Sequence, residues 1–215
     1  MDCIEGMRQF PDKYFDLAVV DPVYGDVTRG GYMSNSDSKN KKARPIQYHT
    51  SIWSQEKTGK DYFKELFRVS KNQVIWGGNY FTDYLPVSQC WLCWDKKKTA
   101  GFADFELAWT SYNRASRIFR YMWNGMLQEN MGNKEHRIHP TQKPVDLYKW
   151  ILNMFAEQGY KILDTHVGSA SSLVACRNLH LDYVGFEIDD VYYKDAKERL
   201  EREEAQVDIY DLLGE

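Results

Sequence analysis

KILDTHVGSASSLVACRNLHLDYVGFE, residues 161–187, is the stretch whose reading decides the fold. Lys161-Ile162-Leu163-Asp164 is a short run of strand formers, Gly168-Ser169-Ala170-Ser171 turns the chain, Ser172 to Leu179 reads as a helix, and Tyr183-Val184-Gly185-Phe186-Glu187 as the next strand. A βαβ unit of this length makes a parallel pair with a right-handed crossover. Its small-residue turn lets backbone N–H groups approach a ligand, and an acid at the end of the following strand can hold two ribose hydroxyls. Glu187, 23 residues after Asp164, is placed for that. No Lys follows the glycine, so the turn is no phosphate-gripping loop. No full Gly-x-Gly-x-x-Gly is present either, so a nucleoside ligand fits better than a dinucleotide. Taken alone the motif is weak, because many such units carry a Gly in the turn and a chance acid later.

A second strand, Leu17-Ala18-Val19-Val20, ends abruptly at Asp21-Pro22-Val23-Tyr24-Gly25. A buried strand that stops at Pro puts the next residues at the carboxyl edge of its sheet, where open α/β sheets bind ligands. That edge carries a carboxylate, a backbone carbonyl whose direction Pro restricts, and an aromatic ring. These suit a flat base bearing an amino group.

The whole chain sets bounds. Its 215 residues favour one domain with its own core. Aromatics are abundant, with 7 Trp and 15 Tyr, and the formal charge is −3. Seven acids and two bases from Glu198 onward concentrate the negative charge at the C-terminus, so any basic surface is local. No apolar run approaches the roughly 20 residues that span a membrane, and Met1-Asp2-Cys3 lacks the regions of a signal peptide. Cys90 and Cys93 form a lone Cys-x-x-Cys inside a hydrophobic strand, with no second ligand pair at zinc-finger spacing. The expectation is reduced thiols, no metal, no membrane and a cytoplasmic location.

Between these anchors the chain offers a short helix or turn after Cys3, a long polar loop over 26–54, and an amphipathic helix over Asp61–Val69. Strands follow at Gln73–Trp76, Cys90–Trp94 and Phe105–Thr110, a helix after Pro144 and a last helix from Asp190. The 26–54 loop is attached to the Asp21 edge, where a mobile loop could close over substrate; a plain solvated insertion is the alternative. From Trp94 to Lys149 ten bases meet six acids, interleaved with Tyr112, Phe119, Tyr121 and Trp123. Such a mixture can hold phosphates and base edges, so 96–137 is the expected target-recognition region. The plainer reading is a charged surface over a half-buried strand pair.

Together, Asp21-Pro22-Val23-Tyr24, His139-Pro140-Thr141-Gln142-Lys143-Pro144, Asp164 through Ser171, and Glu187 resemble the amino-group DNA methyltransferases that use S-adenosylmethionine. The order, with the acceptor motif first, is similar to the β arrangement of that family, and the resemblance covers essentially the whole chain. It implies an α/β fold: a Rossmann-like, mostly parallel sheet flanked by helices in permuted order, with a small target-recognition insertion in a single domain over 1–215. It also implies Asp21, Pro22 and Tyr24 as catalytic residues acting on a base flipped out of double-stranded DNA. Asp2 and Cys3 match the segment beside the cofactor's adenine, Thr141 and Lys143 positions near its methionine portion, Asp164, Gly168 and Ser169 the cofactor loop, and Glu187 the ribose acid. Asp21 also borders the cofactor. A homodimer, a restriction-modification setting and a phage or mobile-element origin are further expectations of the family.

A motif opening with Asp favours adenine N6 over cytosine N4, where Ser is commoner. Two departures stand out. Val23 replaces the usual second Pro, which restores an N–H and frees φ. Thr165-His166 replaces Pro-Phe after Asp164, and His166 reads as a packing residue or cofactor neighbour. Cytosine-N4 methylation, or a lapsed enzyme that binds DNA or cofactor as a regulator, are the alternatives.

Overall fold

The computed structural model describes residues 1–25, 57–97, 103–124 and 127–213; the loop expected over 26–54 lies wholly outside them. The strands of the main sheet are β1 (Phe15–Val20), β2 (Ser70–Trp76), β3 (Trp91–Asp95), β4 (Phe105–Thr110), β5 (Arg117–Arg120), β8 (Lys161–Asp164) and β9 (Asp182–Gly185). A separate hairpin pairs β6 (Trp123–Asn124) with β7 (Leu127–Gln128). The helices are α1 (Cys3–Met7), α2 (Lys60–Val69), α3 (Val145–Phe155), α4 (Ser171–Asn178) and α5 (Asp190–Leu213). None among the described residues is long and apolar enough to cross a membrane.

The seven strands lie in the order β5-β3-β4-β2-β1-β8-β9. β1 pairs in parallel with β2 and with β8, and β8 with β9. A strand central in such a sheet is covered on both faces and reads as an unbroken apolar run. In β1, Leu17 and Val19 face a core built with α3 and α4, through Leu147, Ile151, Val174 and Ala175. Phe15, Ala18 and Val20 face the other side, where α1 and α2 supply Met7, Tyr62, Phe63 and Leu66. Full burial of each large apolar side chain contributes about 1.5–3 kcal/mol.

β4 runs antiparallel to both β2 and β3. Its start therefore comes to the edge where β1, β2, β8 and β9 end. Trp76, the last residue of β2, lies opposite Ala108, and Glu106 lies opposite Trp94 near the end of β3.

The expected elements appear with boundaries moved by a few residues. The strand expected over Tyr183–Glu187 stops at Gly185, two residues before Glu187. α1 begins directly at Cys3, because the Asp2 carboxylate caps it by accepting from the N–H groups of Ile4 and Glu5 at 2.9 and 3.1 Å. Of the 96–137 region, Phe105–Thr110 and Arg117–Arg120 are strands of the main sheet.

Candidate active site

The edge of β1 delivers Asp21. After it Pro22 is buried, and the Val23 carbonyl accepts from the Thr58 N–H at 2.9 Å, which ties the turn to the segment before α2. The Tyr24 hydroxyl donates to Asp21 Oδ1. Its ring stacks on Tyr80, with centroids 5.1 Å apart and planes 22° apart, and meets Phe81 edge-on. Gly77 closes the other contact: its φ is +64°, and a Cβ there would run into the Tyr24 ring. A side chain at Gly77 would thus be excluded twice, by backbone conformation and by space. Burial, with Asp21 and Glu106 nearby, pushes the Tyr24 hydroxyl far above its usual range, so it remains a donor.

Asp21 Oδ2 takes the Lys143 ammonium at 2.5 Å. The same ammonium lies 3.2 Å from Glu106 Oε2 and over the Trp76 ring at 5.5 Å. Lys96 binds the other Glu106 oxygen and lies 4.8 Å over Trp94. Lys143 is only 5% exposed. Burial alone would lower its pKa, but Asp21 and Glu106 raise it well above the ordinary value. Burial likewise opposes ionisation of Glu106, yet the ammoniums of Lys143 and Lys96 hold its carboxyl down to about 2. Lys143 and Glu106 are thus charged at neutral pH, as buried ions with good partners can be.

The βαβ loop lies beside this cluster. Asp164, buried at the end of β8, accepts from Ser172 Oγ and from the His166 N–H at 3.0 Å, so both its oxygens shape the loop. Burial pushes its carboxyl up to about 6. Gly168 has φ +51° and donates its N–H to Glu187 Oε2 at 2.7 Å, while Asp189 N–H reaches Oε1 at 2.9 Å. Burial also raises the Glu187 carboxyl. The Met1 ammonium donates to the Glu187 carbonyl at 2.7 Å, which brings Asp2 and Cys3 alongside; burial pushes the Cys3 thiol up to about 12. His166 Nδ1 lies 2.9 Å from Thr165 Oγ1, itself 2.6 Å from the Tyr62 hydroxyl. Burial lowers His166 to about 4, leaving a neutral packing residue.

The His139–Pro144 run joins the two halves. The His139 ring lies 3.6 Å from where a Cβ on Gly168 would be, and its Nδ1 is 3.0 Å from the exposed Thr141's Oγ1. Burial lowers His139 to about 4. Four residues on, Lys143 reaches Asp21. Behind the loop, Arg199 of α5 donates to the Ser169 carbonyl at 2.8 Å and to Ser171 Oγ at 3.0 Å, and pairs with Glu135 Oε2 at 2.8 Å. Glu135 Oε1 in turn accepts from the N–H of Val145, the first residue of α3.

A family model described as a DNA methylase of the N6/N4 type matches residues 34–198. The chain belongs to the N6/N4 DNA methylase family. The match begins beyond Tyr24, so it does not cover the Asp21–Tyr24 turn. The type II methyltransferase M2.DpnII of Streptococcus pneumoniae is 35% identical over 124 residues, 58% of this chain and 45% of that protein, so the chain spans less than half of that relative. The fold is shared with the M1.HpyAVI–SAM complex, at 18% identity and TM-score 0.58, over 93% of this chain and 96% of that one. It is shared also with the cytosine-N4-specific PvuII DNA methyltransferase, at 12% identity and TM-score 0.58, over 92% and 83%.

In this N6/N4 methylase the structure brings Asp21, Tyr24 and Lys143 into one hydrogen-bonded group, and Gly168 and Glu187 into another, with Asp2 and Cys3 following the Met1 that bonds the Glu187 carbonyl. Asp164, at the end of β8, and Ser169, in the loop after it, are both buried. The ammonium of Lys143, expected near the methionine portion of a cofactor, contacts Asp21 and Glu106. Sequence reasoning missed Glu106, Lys96, Gly77, Tyr80, Glu135 and Arg199. The Gly77-Gly78 pair after a strand was the available signal for a close ring approach; nothing in the sequence marked the direction of β4.

Proposed function

We propose that this chain transfers a methyl group from S-adenosylmethionine to the exocyclic N6 of adenine in double-stranded DNA. The observation that carries the reading is one sheet edge holding a carboxylate with an aromatic ring bonded to it, Asp21 and Tyr24, beside a loop whose Gly168 and Glu187 suit a nucleoside. The donor set fits the cofactor: Glu187 has carboxylate lone pairs left for ribose hydroxyls, and the loop has no lysine that would call for a phosphate. S-adenosylmethionine, when bound, supplies an electrophilic methyl group on a sulfonium.

The chain's own residues then address the acceptor's weakness. The amino nitrogen of adenine shares its lone pair with the ring. Asp21, with the Pro22 carbonyl, would accept both amino hydrogens and draw the nitrogen towards tetrahedral geometry, a matter of positioning and preorganised acceptors. The Tyr24 hydroxyl and Lys143 ammonium now occupy positions on Asp21 that the amino group would share or take over. Backed by Tyr80 on one face, the Tyr24 ring is a platform for a flipped base, worth about 1–3 kcal/mol. The Asp that opens the motif supports adenine over cytosine. Duplex DNA is the partner in this reading, and a homodimer stays an expectation from the family.

Labelled S-adenosylmethionine, mixed-sequence duplex and digestion to nucleosides test the proposal. N6-methyladenine is expected; N4-methylcytosine would move the acceptor to cytosine, and no transfer would refute the activity. Asp21→Ala should abolish transfer while affinity for S-adenosylhomocysteine, which lacks the sulfonium charge, stays within a few-fold, about 1 kcal/mol or less; an active Asp21→Ala protein would remove Asp21 from the reaction.

A further inference from the structure

We propose that Glu106 is the charge-setting residue of this site: with Lys96 it holds Lys143 against Asp21 while keeping the cluster neutral, so that a sulfonium donor can be seated beside it. Charges alternate along the cluster, Lys96 to Glu106 to Lys143 to Asp21, through ion pairs at both Glu106 oxygens and at 2.5 Å on Asp21. Two cations and two anions sum to zero. Lys143, at 5% exposure, cannot carry its charge out to solvent. Without Glu106 its ammonium would belong to Asp21 alone, and the cluster would become a net cation at the acceptor.

That sign matters for the chemistry proposed above, on which this inference rests. In-line transfer brings the reacting atoms to about 3–3.5 Å, so the cationic sulfonium comes within a few ångströms of whatever Asp21 holds. Positive charge also develops on the attacking nitrogen. A net positive cluster would oppose both, in surroundings where charges are poorly screened. Glu106 reaches the edge because β4 runs against its neighbours, and Lys96 follows the end of β3 opposite it. A residue that merely tied β3 to β4 would affect stability without distinguishing a charged ligand from a neutral one.

The test is calorimetric binding of S-adenosylmethionine and of S-adenosylhomocysteine, the thioether that lacks the sulfonium charge, to the full chain. Glu106→Gln is expected to weaken the charged ligand by about tenfold more than the neutral one, and adding Lys96→Gln, which restores neutrality, should bring the ratio back. Lys96→Gln alone, leaving one net negative charge, should shift the ratio the other way, and it keeps the question open to measurement if Glu106→Gln fails to fold. A ratio unmoved in Glu106→Gln, or in Lys96→Gln where that is the variant that folds, overturns the inference alone. A wild-type chain that binds neither ligand overturns it together with the proposed function.

Discussion

Arg199→Met offers the most direct probe of how the loop is held. The substitution keeps most of the stem volume and removes a guanidinium that is 7% exposed and serves three acceptors: the Ser169 carbonyl, Ser171 Oγ and Glu135. Removing one partner of a buried ion pair costs about 3–5 kcal/mol. Glu135 keeps 21% exposure, so water repays part of the loss and the lower end, about 3 kcal/mol, applies. For a chain of this size that is a fall in Tm of about 6–12 °C. The deficit should depend on pH. Burial already raises the Glu135 carboxyl despite Arg199 beside it, and without Arg199 it rises further. An acid whose folded pKa lies above its unfolded value favours the folded state as pH falls, so the gap between variant and wild type should narrow from neutral pH towards about pH 5. Thermal melts across that range, with cofactor titrations alongside, check both points. A variant within about 2 °C of wild type at neutral pH, with unchanged cofactor affinity, would refute the idea that Arg199 fixes the loop.

Gly77→Ala forces a side chain into left-handed backbone and against Tyr24, so it should lose at least about 1–2 kcal/mol, and methyl transfer should fall further than the melt explains; wild-type turnover would show that the Tyr24 ring can move. His166→Gln removes a buried imidazole held at about 4. Because the unfolded chain takes up that proton below about 6.5 while the native state does not, wild type should lose about 1.4 kcal/mol per pH unit relative to the variant between those values, readable by denaturant titration. Val23→Pro removes a backbone N–H but leaves the carbonyl that Thr58 binds, so turnover should be kept or raised; complete loss would mean that the Val23 N–H or its φ is needed.

The parallel half of the sheet was legible because burial on both faces leaves its mark in composition. Leu17–Val20 and Lys161–Asp164 read as strands for the same reason that they are central ones. The placement of the expected site residues followed, since Asp21, Asp164 and Glu187 each sit at or just past the end of such a strand. β5 escaped notice because Arg117–Arg120 is a mostly exposed edge in which Phe119 alone packs inward. Phe105–Thr110 was legible as a strand, yet its direction was not, and direction alone decides whether Glu106 points its end of the strand at the site or away from it. Arg199 was hidden differently: in an acidic C-terminal stretch it looks like one more surface charge, and only the packing of α5 against the loop buries it.

The antiparallel β4 has a further consequence, in the order of assembly. The acceptor group draws on positions 21, 96, 106 and 143, which lie in four different segments. No hairpin or single βαβ unit contains it, so it forms only by closing long loops, the slow and entropically costly part of folding. The β2–β4 pairing closes a much shorter loop than the β1–β8 pairing, so Glu106 can reach the edge early, and the group is complete only when Lys143, 122 residues from Asp21, docks beside it.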